Sequence, residues 1–221
     1  ANLLKTYPAD VIRYWTASGT LGYDIAFSDT KLKIGQKLMV KLWNAALFAR
    51  EHVQGLESHT IPGECGLVNE WILHRATETF ALYQKYFDDY EFGLALQAAE
   101  QFFWQDLCDN YVELVKDQLF KPEKYSAHEV AATKVTLHHV ILRVLQLFAP
   151  YMPHVTETIY QDMFKKYCGV ESLHLTRFDT VQKAYAHATS AQQVGQLLAV
   201  VAQVRKLKSD HEVSLKTELA E

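Results

Sequence analysis

Apolar residues recur at intervals of three and four along most of the chain, the spacing that gives a helix one dry face and one wet face. Where the pattern breaks, turn-forming residues stand. It predicts a short helical segment in "NLLKTY", and then a helix in "ADVIRYWTAS" after Pro8, which a first turn tolerates; Gly19 and Gly22 end it. Ser28 is the expected N-cap of a long helix reaching about Val53. Beyond the loop "QGLESHTIPGECG", a third helix is expected over about residues 67–87 and a fourth over about 92–120, hinged at "DDYE". A polar connection at 121–126 leads to a fifth helix, "AHEVAATKVTLHHVILRVLQLFA", stopped by Pro150 and restarted after Pro153 as "HVTETIYQDMFKKY". Residues 169–180, "GVESLHLTRFDT", read as a short strand or extended crossover, and a last helix should span about 190–209.

Composition supports this picture. Among 221 residues, 49% are hydrophobic and 12% aromatic, enough for a substantial core, while nine glycines and five prolines leave few turns. Few long elements imply an all-α, antiparallel helical bundle. A net charge of −4 does not draw nucleic acid from a distance, so any such site must be a local basic patch. Cys65, Cys108 and Cys168 are odd in number and widely spaced, which argues against a disulfide framework and for the reducing cytoplasm. No apolar run reaches the ~20 residues of a membrane span, and the first ten residues lack the layout of a signal peptide. With no initiator methionine and helical text from the start, the chain reads as a piece of a longer protein.

The chemistry-bearing motifs are few. "HEVAA", from His128 and Glu129, begins like a zinc-protease motif but puts Ala132 where the second histidine ligand belongs. His138 and His139 point to different faces of their helix, and no phosphate loop, GxSxG elbow or cysteine–histidine pair occurs, so no catalytic residue and no metal ligand is assigned. The helix after Ser28 is more informative. At about 100° per residue with Lys33 at zero, Asn44, Lys37, Phe48 and Lys41 fall at roughly 20°, 40°, 60° and 80°. Leu38, Leu42, Ala45, Ala46, Ala49, Met39 and Val53 fill the arc from roughly 120° to 240°, with Trp43 near 280° at its edge. Three cations, an amide and a ring on one stripe suit an unpaired RNA loop: lysines on phosphates, the ring on a base, the amide on a base edge. A merely solvated lysine face is the plain alternative, and Phe48 would then need cover from a neighbouring segment. Asp109, Glu113 and Lys116 share a face as an expected bundle ion network, and Arg205, Lys206 and Lys208 suit a helix C-terminus.

The blocks "YPADVIRYWTASGTLGYDIAFS", "KLWNAALF", "FFWQDLCDNYVELVK", "LFAPYMPHVTETIY" and "VRKLKSDHEVSLKTEL" resemble, in order, the valyl-tRNA synthetase family of class I aminoacyl-tRNA synthetases. The resemblance implies a stem-contact remnant over residues 1–27, an anticodon-binding bundle over 28–180, and a C-terminal helix and tail over 181–221. It implies binding of the anticodon arm of tRNA(Val), and the shared stripe gives that contact to Lys33, Lys37, Lys41, Asn44 and Phe48, on the helix whose Lys41–Ala45 run matches the family block. A catalytic domain of the same parent chain, a monomeric state and a parent reaction using ATP and magnesium are also implied. The catalytic signatures HIGH and KMSKS and the editing domain do not occur in these residues, so no cofactor and no activity are expected of them alone. Two positions depart from the family: Leu47 stands where a basic residue is common, and Asn110 where tryptophan is. The alternatives are an isoleucyl or leucyl relative, or a helical module that binds another protein.

Overall fold

The computed structural model describes residues 3–56, 58–177, 185–214 and 217. Among these the chain forms ten α-helices and no strand: α1 Leu3–Thr6, α2 Ala9–Ala17, α3 Asp29–Val53, α4 Leu67–Asp88, α5 Phe92–Gln101, α6 Val112–Phe120, α7 Ala127–Phe148, α8 Pro153–Met163, α9 Lys165–Cys168 and α10 Ala188–Asp210. The expected bundle is therefore present. Helix α7 is its axis, packed by α3, α4, α5, α6 and α8, while α10 lies along α4. Fourteen residues of α7 are buried, and its start is closed by a capping box in which Ser126 and Glu129 each bond the other's backbone. The "HE" pair is thus the first turn of an ordinary helix capped by Ser126, with Glu129 completing the capping box.

Three expectations need correction. The fourth helix is not uniformly α: between α5 and α6, residues Phe102–Tyr111 wind as a π-helix. The buried pairs Phe102/Leu107 and Phe103/Cys108 are five residues apart, so the wider turn keeps both pairs on the core side where α-winding would rotate one away. In place of a strand at 169–180, the described part holds a 3-10 turn, Leu173–Leu175, whose Leu173 plugs the core; residues 178–180 lie outside the described residues. The helix expected through residue 167 breaks at Phe164, where φ of −117° separates α8 from α9 and turns that ring fully inward.

Buried rings are tied down by their polar tips, as burial of a phenol requires. Tyr83 donates to the Leu147 carbonyl and Tyr160 to the Val170 carbonyl, both at 2.9 Å. Helix α2 is anchored by a distant carboxylate: buried Asp10 accepts from the backbone N–H groups of His154 (3.2 Å) and Val155 (2.8 Å). Asp10 thereby supplies the N-terminus of α8 with the side-chain cap that Met152 does not provide. Arg13 adds a bond to the Pro150 carbonyl, and Tyr14 one to Glu100.

Candidate functional site

Helix α3 begins where the Ser28 hydroxyl accepts from the Lys31 N–H at 3.2 Å. Its dry side is Leu32, Gly35, Leu38, Leu42, Ala46 and Ala49, laid against α2 and α7. Gly35 is required there, because a Cβ would stand 2.6 Å from Cδ1 of the buried Tyr14 ring. With that side inward, a crest of Lys33, Lys37, Val40 and Asn44 faces water. Asn44 is exposed and makes no side-chain hydrogen bond among the described residues.

The cations differ in how far they are free. Lys33 is paired with Asp29 at 2.7 Å, one turn back, and Asp29 also accepts from the Tyr7 hydroxyl. The Asp29 carboxylate raises the Lys33 ammonium above its ordinary pKa, and Lys33 lowers Asp29 in return. Lys37 is exposed and has no ion-pair partner among the described residues. Lys41 leans off the crest, with Nζ 5.8 Å from the centre of the Trp104 ring on the π segment. Glu51 puts one negative charge at the far end of the crest.

Of the two aromatic residues, Phe48 departs from its expected place and Trp43 stands at the edge of the core with much of its ring exposed. Phe48 is half-buried, its ring 4.6 Å from His52 and 6.2 Å from Phe120. The cover comes from α6, whose last residue, Phe120, overhangs this flank of α3. Phe48 is therefore not an exposed ring. Trp43, expected at the core edge, is 41% exposed beside the α3–α8 seam, in a notch with Leu47, Arg50, Ile159 and Met163. The Arg50–Asp162 ion pair, 2.8 Å, joins α3 to α8 at the same notch. One signal pointed this way: Arg50 falls near 260° by the same helical step, so the flank holding Trp43 had to reach water.

Beside the crest, the π segment carries Trp104 and Asn110. The Asn110 amide donates to the Gln105 carbonyl at 2.8 Å and accepts from Arg205 at 3.3 Å, and Arg205 also reaches the Asp109 carbonyl. Of the basic run on α10, Arg205 is thus engaged with the bundle, whereas Lys206 is exposed. Glu113 and Lys116 form the expected ion pair. The arrangement as a whole contains cations, an amide and an accessible indole on one rigid helix, an outfit for holding a phosphodiester chain and unpaired bases.

Comparison with known proteins agrees in kind. A family described as "Anticodon-binding domain of tRNA ligase" matches residues 69–221. The chain is 34% identical to the valine–tRNA ligase of Rickettsia conorii over 223 residues, covering 97% of this chain and 27% of that protein. It is 36% identical to the valine–tRNA ligase of Anaplasma marginale over 214 residues, covering 96% of this chain and 25% of that one. It spans about a quarter of the length of such relatives. Among solved structures, a leucyl enzyme of Agrobacterium radiobacter K84, crystallised in a ternary complex with tRNA and LeuAMS, superposes with a TM-score of 0.59 at 14% identity, covering 84% of this chain and 21% of that one. That likeness speaks for the fold.

Proposed function

Because the chain belongs to the family of anticodon-binding domains of tRNA ligases, we propose that it grips the anticodon arm of tRNA(Val) along the outer face of α3, as part of a valine–tRNA ligase. The observation that carries this reading is the α3 crest: free Lys37 beside exposed Asn44, flanked by Lys33, Lys41 and the accessible face of Trp43. Lys33, Lys37 and Lys41 hold phosphates, Asn44 reads a base edge, and Trp43 offers the stacking face. Phe48 stiffens the flank and contributes its remaining exposed edge. The valine relatives support the choice of tRNA.

The parent enzyme activates valine with ATP and magnesium and transfers it to tRNA, working as a cytoplasmic monomer. Residues 1–27 serve there as the stem-contact remnant, 28–180 as the anticodon-binding bundle beside the parent's catalytic domain, and 181–221 as the C-terminal helix and tail. Filter binding with purified valine, isoleucine and leucine tRNAs at low salt tests the reading. The chain should retain the valine tRNA best, and the Lys37→Glu/Lys41→Glu variant should lose at least about tenfold. Equal retention by variant and wild type refutes the surface; a preference for isoleucine or leucine tRNA refutes the partner.

A further inference from the structure

A cleft of about 660 Å³ opens where α3 ends, and the α3 surface does not account for it. One wall is the turn after α3, from Gln54 through Leu56 to Pro62, with the hydroxyls of Ser58 and Thr60 on it. The opposite wall is Pro122 and Tyr125 from the connection between α6 and α7. The floor is the start of α7, where Ala127 and Ala131 lie one turn apart on one face and Lys134 follows on that same face. Two methyl groups where larger side chains could stand leave a slot between α7 and the proline walls. Half-buried Lys134 lines it about one turn further along α7.

We propose that this slot receives one unstacked nucleobase of the RNA held on α3, with Lys134 on the adjoining phosphate. The inference rests on the reading of α3 as an RNA surface. The volume falls in the range of ligand sites that enclose a small heterocycle. A flat ring lies between the alanine methyls and the proline and leucine wall, an apolar sandwich that tolerates any base. Thr60 and Tyr125 supply polar contacts at its edges. Ser58 Oγ already accepts from the Thr60 N–H at 3.2 Å, so its own proton is free to donate to a base.

The slot opens immediately after the last turn of α3. His52, in the last turn of α3, has its ring 4.6 Å from Phe48 and 4.9 Å from Phe120. Burial lowers the His52 pKa first of all, the charge of Glu51 works against that, and the charge of Lys134 adds to it. The Nε2 atom of His52 is buried with no partner. From Lys33 to His52 the helix rises about 28 Å, a track for several nucleotides ending at the slot.

The test uses the 221-residue chain and an RNA hairpin carrying the anticodon arm of a valine tRNA, with a set of hairpins made abasic at each loop position in turn. Ala131→Trp fills the slot from an exposed helical position, and Lys134→Ala removes the ammonium. Wild type should lose about tenfold in affinity for one abasic hairpin, the scale of one stacked base, and Ala131→Trp should lose about as much for the intact hairpin and nothing further for that abasic one. Lys134→Ala should lose about threefold and flatten the salt dependence. If both variants bind like wild type while Lys37→Glu/Lys41→Glu is impaired, the slot is refuted and the α3 surface stands. If wild type and the α3 variant bind alike, both proposals fall. Should Ala131→Trp not fold, Lys134→Ala and the abasic series decide.

Discussion

Replacing Asn69 with leucine, which keeps the branched outline but is bulkier, should destabilise the bundle by about 2–5 kcal/mol. Asn69 is buried on α4 and bonds three other parts of the structure. Its amide donates to the Cys65 carbonyl at 2.7 Å and to the Thr133 hydroxyl of α7 at 3.0 Å, and its carbonyl accepts from the Tyr111 hydroxyl at 2.7 Å. Thr133 in turn donates to Gln118 of α6 at 2.7 Å. Leucine would orphan the Tyr111 hydroxyl and the Cys65 carbonyl in a place water does not reach, at about 1–3 kcal/mol each. Thr133 keeps its bond to Gln118, and what the burial of two methyl groups returns is offset by forcing them into a site sized for an amide. Urea unfolding followed by far-UV circular dichroism measures the change. Tyr111→Phe alone should cost about 1–3 kcal/mol, but the double variant should cost less than the sum by about 1–2 kcal/mol, because the orphaned hydroxyl is then gone. A cost below about 0.5 kcal/mol for Asn69→Leu, or strict additivity in the cycle, would refute the claim that this network ties α4, the π segment and α7 together.

Stability should also fall with acid. Burial, with His59 close by, holds the His138 imidazole down to about 4, and burial with the Arg143 guanidinium holds His139 down to about 3. Both lie below the unfolded value of about 6.5, so the unfolded chain binds protons that the folded chain refuses; the stability is complete above about pH 6.5 and is lost as pH falls toward 4 and then 3. The urea midpoint should decline across that window, and His138→Phe should flatten the decline. Asp10→Ala should cost about 1.5–3 kcal/mol by uncapping α8 and loosening α2, read as a lower thermal midpoint; an unchanged midpoint would deny Asp10 its anchoring role. Gly35→Ala drives a methyl into the Tyr14 ring and should cost about 1–3 kcal/mol in the same assay. RNA affinity should fall with a log–log salt slope near −2 if the three lysines of the stripe each hold one phosphate of a single strand, steeper by about 0.7 with Lys134 on a fourth, and the slope of the Lys37→Glu/Lys41→Glu variant should be shallower by about 1.4.

Helix limits were legible from local chemistry because helices close their own hydrogen bonds. Ser28 caps α3, Ser126 caps α7, and Pro153 opens α8, each as its neighbours in the chain predict. The crest of α3 was legible for the same reason: a fixed angular step puts Lys33, Lys37 and Asn44 on one line and the leucines on the other. The flanks of that helix were not. Periodicity assigns an angle to Trp43 and to Phe48, but exposure at the edge depends on how far the adjoining element reaches. Trp43 keeps 41% of its surface exposed beside α8, while Phe120, on a rod wound partly as a π-helix, packs against Phe48. Only the tertiary structure could decide that, since the covering ring lies 72 residues further along the chain, as it alone could give α8 the Asp10 carboxylate from α2 as its cap. Local sequence determines the winding and the wet face of a helix; the packing of distant segments determines how much of that face remains for a ligand.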